Sequence, residues 1–391
     1  MKPEILIWAR ESAGFSLEQV AASSGLSKVH HWEAGELQPT INQLRLLGKK
    51  YKRSLAVFYL QEKPIDFQVI SDFRRTFPSE MQRMSPQLAL QIRFAQERRE
   101  IAIEMLREME DQVPDLSISA TLGDSPEIVG EKVRGYLGID NAEQRLWKNN
   151  RVAFNKWRSL IEDAGVLVLQ MTGVETSEAS GFAIADANLP VIAVNRGDSL
   201  TRRVFSLLHE FAHLILSKSG VSESYIDYAI ETEIQTIETW CNAVAAATLL
   251  PREMFLGEKV VKNHEASNLF WPEKDIEALA STFNTSRISI VRRLLTLGLT
   301  EQSFYTAKEA EYEEQYYTAL EKKKDVNQTG KFSGRNMSNE AFSLLGRKFV
   351  RIVLAPYRSD KVTLSDVSAY LNLKTKHIPK IEQTLLREIA N

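Results

Sequence analysis

The sequence predicts a multidomain, mainly α chain interrupted once by a small sheet. Three observations lead there. Apolar residues recur at helical spacing through most of the chain, short β-branched runs gather only between residues 165 and 194, and polar stretches carrying Gly, Pro, Ser or Asn separate the helical blocks. At 391 residues with 43% apolar content, two to four domains with packed cores are expected.

The first block is helical. Ile5 to Ala13 is apolar-periodic and closes at Gly14; Ser16 is placed to cap a helix through Leu17, Val20 and Ala21 that ends at Gly25. After a short turn, Ser27 is expected to cap a third helix carrying Lys28, Val29, His30, His31 and Trp32. Helices around Leu44 to Lys50 and Leu55 to Tyr59 complete a five-helix bundle. Two helices around a glycine-containing turn are the helix-turn-helix plan, in which the second helix enters the major groove. Eight Lys and Arg against five Glu give residues 1–60 a charge of +3, while the whole chain is −2. The local surplus suits phosphate contacts with double-stranded DNA, and Ser27, Lys28, His30 and His31 are the candidate base or phosphate contacts. The competing reading is an adaptor that binds a partner protein or another part of the chain.

A connector follows. Glu62 to Thr76 is expected as a loop with a basic tip at Arg74 and Arg75, and Ser85 to Gln112 as a long charged helix with apolar positions at Leu88, Ile92, Ala95, Ile101, Met105 and Met109. That stripe is expected to tie the N-terminal block to the rest or to form the seam of a homodimer. Helices are expected at 126–137 and 142–163. Strands come next, at Gly165–Gln170, Gly181–Ala185 and Val191–Val194, in a sheet of three or four strands. Residues near Gly181 to Ile184 are expected at its edge, where an extended peptide adds through main-chain hydrogen bonds. Asn195 and Arg202 are candidates for positioning a substrate or, equally, for capping and salt bridging.

The run Val204 to Leu216 contains His209-Glu210-Phe211-Ala212-His213. Positions i and i+4 of a helix lie one above the other, so both imidazoles face one space and can hold Zn²⁺ at about 2.0–2.1 Å. Glu210 then stands where a carboxylate can take a proton from a water polarised by the metal and return it to a leaving amine. The bland alternative is a core helix that happens to carry these residues. A catalytic zinc needs a third protein ligand. Glu238, in the first turn of an Ala- and Leu-rich helix ending at Pro251, is assigned that place; Glu231 and Glu233 are rivals. Asn242, four residues on, is a candidate to hydrogen-bond a ligating histidine or Glu238. Manganese stands as the alternative metal.

Three separated motifs now carry a resemblance. Pro190-Val191-Ile192-Ala193-Val194-Asn195, the run Arg202 to Leu216, and Glu238-Thr239-Trp240-Cys241-Asn242 with Leu249-Leu250-Pro251 resemble the ImmA/IrrE family of metallopeptidases over roughly residues 150–255. Trp32-Glu33 and Gly35 through Pro39-Thr40 resemble the Xre family of DNA-binding heads, which implies that Trp32 faces inward. Val244 departs from the Phe usual in the first family, a change of packing more than chemistry. The resemblance implies a zincin-like α+β domain and a regulatory endopeptidase of narrow specificity, whose protein substrate is a repressor or other regulator encoded nearby.

Beyond Pro251, Asp275–Phe283 and Ser286–Leu297 are expected as two helices around Asn284-Thr285, with Arg287, Arg292 and Arg293 on the second. The resemblance makes them a wall of the cleft in preference to a second DNA reader. Glu309–Lys324 reads as a charged helix, 325–336 as a flexible linker, and Asn339–Ala355, Ser365–Leu371 and Lys376–Glu388 as a small helical unit that recruits substrate or oligomerises. The domains are thus expected at 1–62 (Xre-like helix-turn-helix), 63–145 (helical connector), 146–300 (zinc peptidase) and 301–391 (helical C-terminal region). The single cysteine, Cys241, excludes an internal disulfide framework and suits a reducing cytoplasm; it is expected to be buried and inert. No apolar run approaches 18 residues and no secretory or lipidation signal opens the chain, so a cytoplasmic protein with no membrane partner is expected. Two functions compete: a DNA-binding regulatory zinc endopeptidase, and a non-cleaving repressor or antitoxin whose metal domain senses zinc or a ligand. Glu210 favours the first, because sensing needs ligands but no general base.

Overall fold

The computed structural model describes residues 1–64, 69–71, 84–217, 231–265, 267–327 and 337–389. Arg74 and Arg75, the expected basic tip, and most of the expected linker, 328–336, lie outside the described residues.

Five short elements build the N-terminal block: α1 (Pro3–Glu11), α2 (Leu17–Ala21), α3 (Val29–Glu33), α4 (Ile41–Tyr51) and a 3₁₀ turn at Leu55–Tyr59. Reciprocal capping by Ser16 and Gln19 starts α2, and Thr40 with Gln43 does the same for α4. At α3 the expectation fails. Lys28 occupies the N-cap position and makes no side-chain cap, because an ammonium has no acceptor to offer the first-turn N–H groups. Ile5, Val20, Val29, Trp32, Leu44 and Phe58 close a core belonging to this block alone. Arg93, on the next helix, donates to the Tyr51 carbonyl and ties the block to the rest.

β1 (Val69–Ser71) lies in the stretch expected as loop and is followed by α5 (Pro86–Glu108), capped by Ser85. Then come α6 (Pro126–Leu137), α7 (Asn141–Arg145) and α8 (Asn150–Asp163). The single helix expected over 142–163 is therefore two. Asn149 breaks it, accepting from the Arg151 and Val152 N–H groups and starting α8 afresh. β2 (Leu167–Met171), β3 (Gly181–Ile184) and β4 (Val191–Asn195) join β1 in a four-stranded sheet of order β1-β3-β4-β2. β2 runs parallel to β4, while β3 is antiparallel to both β4 and β1. β3 is consequently an interior strand, which corrects the expectation that Gly181 to Ile184 form the edge.

α9 (Leu200–Ser217) and α10 (Glu231–Leu249) pack on each other, with α9 also on β3 and β4 and α10 on α6. Next are α11 (Arg252–Leu256), α12 (Lys259–Lys262), α13 (Glu273–Phe283), α14 (Arg287–Thr296) and α15 (Gln302–Asn327). Asn284, in the left-handed region at φ 52°, makes the turn between α13 and α14. The last helices are α16 (Met337–Leu345), α17 (Arg347–Arg358), α18 (Leu364–Tyr370) and α19 (Ile378–Ile389). Gly346, at φ 82°, divides the helix expected over Asn339–Ala355 into α16 and α17.

Successive side chains of a strand point to opposite faces, so the unbroken buried runs of β2, β3 and β4 make the sheet largely apolar on both. Val168, Ala183, Ile192 and Val194 face a core shared with α6, α8, α9, α10, α13 and α14. Leu167, Leu169, Phe182, Ile184 and Val191 face a second core built from α5 and the C-terminal helices, including Phe349, Val350, Val353 and Ile381. The apolar stripe of α5 packs inside the chain here, and the C-terminal helices, expected as an appendage, cover the sheet. Among the described residues, no helix is long and apolar enough to cross a membrane.

Candidate metal centre

Apolar rows of α9, including Leu208, Phe211, Ala212 and Ile215, hold that helix against the sheet and α10. His209, Glu210 and His213 are thereby carried into the interior, all at most 2% exposed. The i, i+4 spacing sets the two imidazoles edge to face, with ring centroids 4.7 Å apart and Nε2 atoms 3.1 Å apart. α10 starts at Glu231, earlier than expected, so Glu238 lies in its third turn and not its first; there it places Oε2 3.2 Å from His209 Nε2 and Oε1 3.1 Å from His213 Nε2. These three side chains are the only set among the described residues whose ligand atoms could jointly hold a metal. Burial pushes the Glu238 carboxyl up, but the hydrogen bonds and charges of the two imidazoles reverse this and bring it down to about 2. The side chains of its rivals, Glu231 and Glu233, lie outside those described.

The donor set fits a small divalent cation. A tetrahedral site with bonds of about 2.0–2.1 Å has its ligand atoms about 3.3–3.4 Å apart, and the separations here are 3.1–3.2 Å. Two imidazole nitrogens and a carboxylate at that spacing also match the His₂Glu donor chemistry of zinc.

Glu210 is fully buried and its carboxylate lies at the start of β3. A Cβ on Gly181 would stand 2.9 Å from Glu210 Oε1 and 3.1 Å from the Ala193 carbonyl. From the sequence, Gly181 is expected as the start of a strand and part of a peptide-binding edge, with no link to Glu210. Its importance comes from having no side chain where the Glu210 carboxylate must fit.

Residues 161–295 match the IrrE N-terminal-like domain, a family of M78 peptidases. The matched IrrE N-terminal-like segment runs from α8 into α14 and contains His209, Glu210, His213 and Glu238. A solved Mycobacterium tuberculosis transcriptional regulator is similar at 16% identity and a TM-score of 0.32, over 54% of this chain and 52% of that one, so the likeness spans about half the regulator's length. No curated protein sequence matches the chain.

Other candidates stand apart from the trio. Asn242 is half-buried and makes no hydrogen bond to His209, His213 or Glu238. Asn195 is structural: its amide donates to the Val174 and Ala179 carbonyls and its oxygen accepts from Gly197 N–H. Arg202 lies 3.5 Å from Asp198. Cys241 is fully buried. Arg293 is buried and ion-paired with Glu127, and Arg287 pairs with Glu273. In the N-terminal block Ser27, Lys28 and His30 are exposed. His31 is half-exposed with Nδ1 2.5 Å from Glu36 Oε2, and Trp32 is buried.

Proposed function

We propose that this protein is a DNA-binding regulatory metallopeptidase that hydrolyses a peptide bond in a repressor or other regulatory protein. The observation that carries the reading is one buried site combining a His₂Glu donor set at ligand spacing with a carboxylate, Glu210, set beside a β-strand. His209, His213 and Glu238 would hold zinc, with manganese as the alternative. The bound ion supplies Lewis acidity, polarising the scissile carbonyl and lowering the pKa of the attacking water. Glu210 takes the proton that this water gives up and returns it to the departing amine, so the C–N bond breaks into a carboxylate and an amine. Burial of the whole site strengthens these electrostatic interactions.

The N-terminal block supplies the DNA-binding half of the reading. Lys28 and His30 are exposed on α3 and its N-cap position, on a block whose sequence is locally basic. In this role Ser27, Lys28, His30 and His31 meet bases or phosphates in the major groove.

The test is co-expression with the regulator encoded beside the gene, followed by intact-mass analysis. A fragment made by the unmodified protein and not by Glu210→Gln, with Glu210→Gln still binding one equivalent of zinc and Glu238→Ala binding none, is the expected result. An intact regulator alongside a zinc-loaded protein would turn the assignment toward a metal-sensing repressor.

A further inference from the structure

The β3 strand beside Glu210 has an occupant from within the chain. Were β1 removed from the order β1-β3-β4-β2, β3 would be the edge next to α9. That is the edge on which an extended peptide adds main-chain hydrogen bonds. β1 makes these contacts itself. It runs antiparallel to β3, pairing Val69 with Ile184, Ile70 with Ala183 and Ser71 with Phe182. Its chain direction therefore leads toward Gly181, where the Glu210 carboxylate packs.

Two further features suit a removable occupant. Among the described residues the pairing spans three residues, against a usual strand length of about five or six. The strand also belongs to the connector between the N-terminal block and α5, which is anchored at its far end. There Ser85 N–H donates to Glu178 in the loop before β3, and the backbone of Met84 and Ser85 packs against Gly14 of the N-terminal block.

We propose that residues 69–71 hold the place of an extended peptide on β3, and that a peptide reaching the metal centre must first displace them. The inference rests on the peptidase reading for its purpose, though strand exchange itself requires no catalysis. A tethered segment acts at millimolar effective concentration, so a free peptide whose own affinity is about 100 µM is weakened roughly tenfold by this competitor.

The probe is a fluorescein-labelled synthetic peptide with the sequence of residues 66–76, added to full-length Glu210→Gln protein, which binds without cutting. It is compared with the same protein carrying Val69→Pro and Ile70→Pro. Neighbouring residues of an antiparallel strand alternate in their bonding to the partner, so two consecutive prolines remove at least one donor facing β3. A second variant replaces residues 66–72 with a Gly/Ser segment of equal length, in case the prolines perturb folding. Roughly tenfold tighter peptide binding by the opened variants is expected. Hydrogen exchange at Phe182 to Ile184 should also quicken in them and slow again when the peptide is added. Equal affinity and equal exchange in all three proteins would overturn the proposal. Strand exchange as expected, in a zinc-loaded protein with Glu210 intact that cuts neither this peptide nor the neighbouring regulator, would uphold the docking inference and remove the peptidase reading.

Discussion

At Gly181 the absence of one methyl group decides where a buried carboxylate sits. A Cβ there would meet Glu210 Oε1 at 2.9 Å and the Ala193 carbonyl at 3.1 Å, and neither the strand backbone nor a packed helix yields easily. Gly181→Ala is expected to displace the Glu210 carboxylate while His209, His213 and Glu238 still bind one equivalent of zinc. Under the proposed peptidase function, because misplacing a catalytic group by about 1 Å can cost about 10²-fold, kcat for regulator cleavage should fall roughly 10- to 100-fold with metal content unchanged. Loss of zinc as well would show that the glycine supports the ligands and not Glu210. The histidine pair is legible in the sequence because i, i+4 spacing alone dictates that the two side chains share a face. Glu238 is less so, since its meeting with the histidines depends on how α10 packs on α9.

Between elements, α10 is positioned by close approach. Gly130 of α6 lies so near α10 that a Cβ would be 2.7 Å from Ala247 Cβ and 2.9 Å from the Ala247 and Thr248 backbone. Gly130→Ala gains up to about 1 kcal/mol of helix propensity but must push two helices apart, an overpacking cost of about 1–3 kcal/mol. A net fall in stability is expected by thermal unfolding, and an unchanged or higher Tm would mean that the pair relaxes freely. Arg134 reinforces the same junction, donating to Gln144 and to the Thr248 carbonyl. Helix periodicity makes α6 and α10 readable from sequence. A single glycine at their crossing is not, because nothing local marks which helix face meets which.

Over the whole molecule, buried ionic contacts fasten the C-terminal helices to the sheet. Arg158 of α8 binds Glu162, the Phe342 and Ser343 carbonyls of α16, and the Val168 carbonyl of β2. Burial pushes the Glu162 carboxyl up, and Arg158 and Lys348 oppose the shift. Arg158→Met would break the buried pair with Glu162, at a cost of about 3–5 kcal/mol. Among the described residues the Glu162 carboxylate would keep only the Lys348 N–H, while the Phe342 and Ser343 carbonyls would keep the Gly346 N–H and the Gln170 amide. A markedly lower Tm and faster proteolysis near α16 are the expected readouts; a change under 1 kcal/mol would mean that water replaces the guanidinium. A second network joins α13 to α14 and α15, where Glu273 accepts from Arg287, Lys308 and Tyr312. Burial raises the Glu273 carboxyl, but these donors outweigh it and hold it below the usual glutamate value of 4.5. A depressed carboxyl stabilises the fold above its unfolded pKa and loses that contribution as pH falls through the folded value. Glu273→Gln should therefore lower Tm at pH 7, with the gap to the unmodified protein closing below about pH 4.5. A gap that stays constant to pH 3 would exclude this linkage.

The sequence by itself determined the helical character of the chain, the three strands at 165–195 and the residues on one face of the site helix. Those features depend on spacing along the chain, and period is a local property. Only the tertiary structure decided that a three-residue strand from the connector pairs with β3, that the C-terminal helices cover the far face of the sheet, and that Glu238 meets both histidines. Three residues are too few to show a period, and strand pairing and helix docking are contacts between segments far apart in sequence. Their partners are chosen by which apolar faces and hydrogen-bonding edges the other elements leave to be covered.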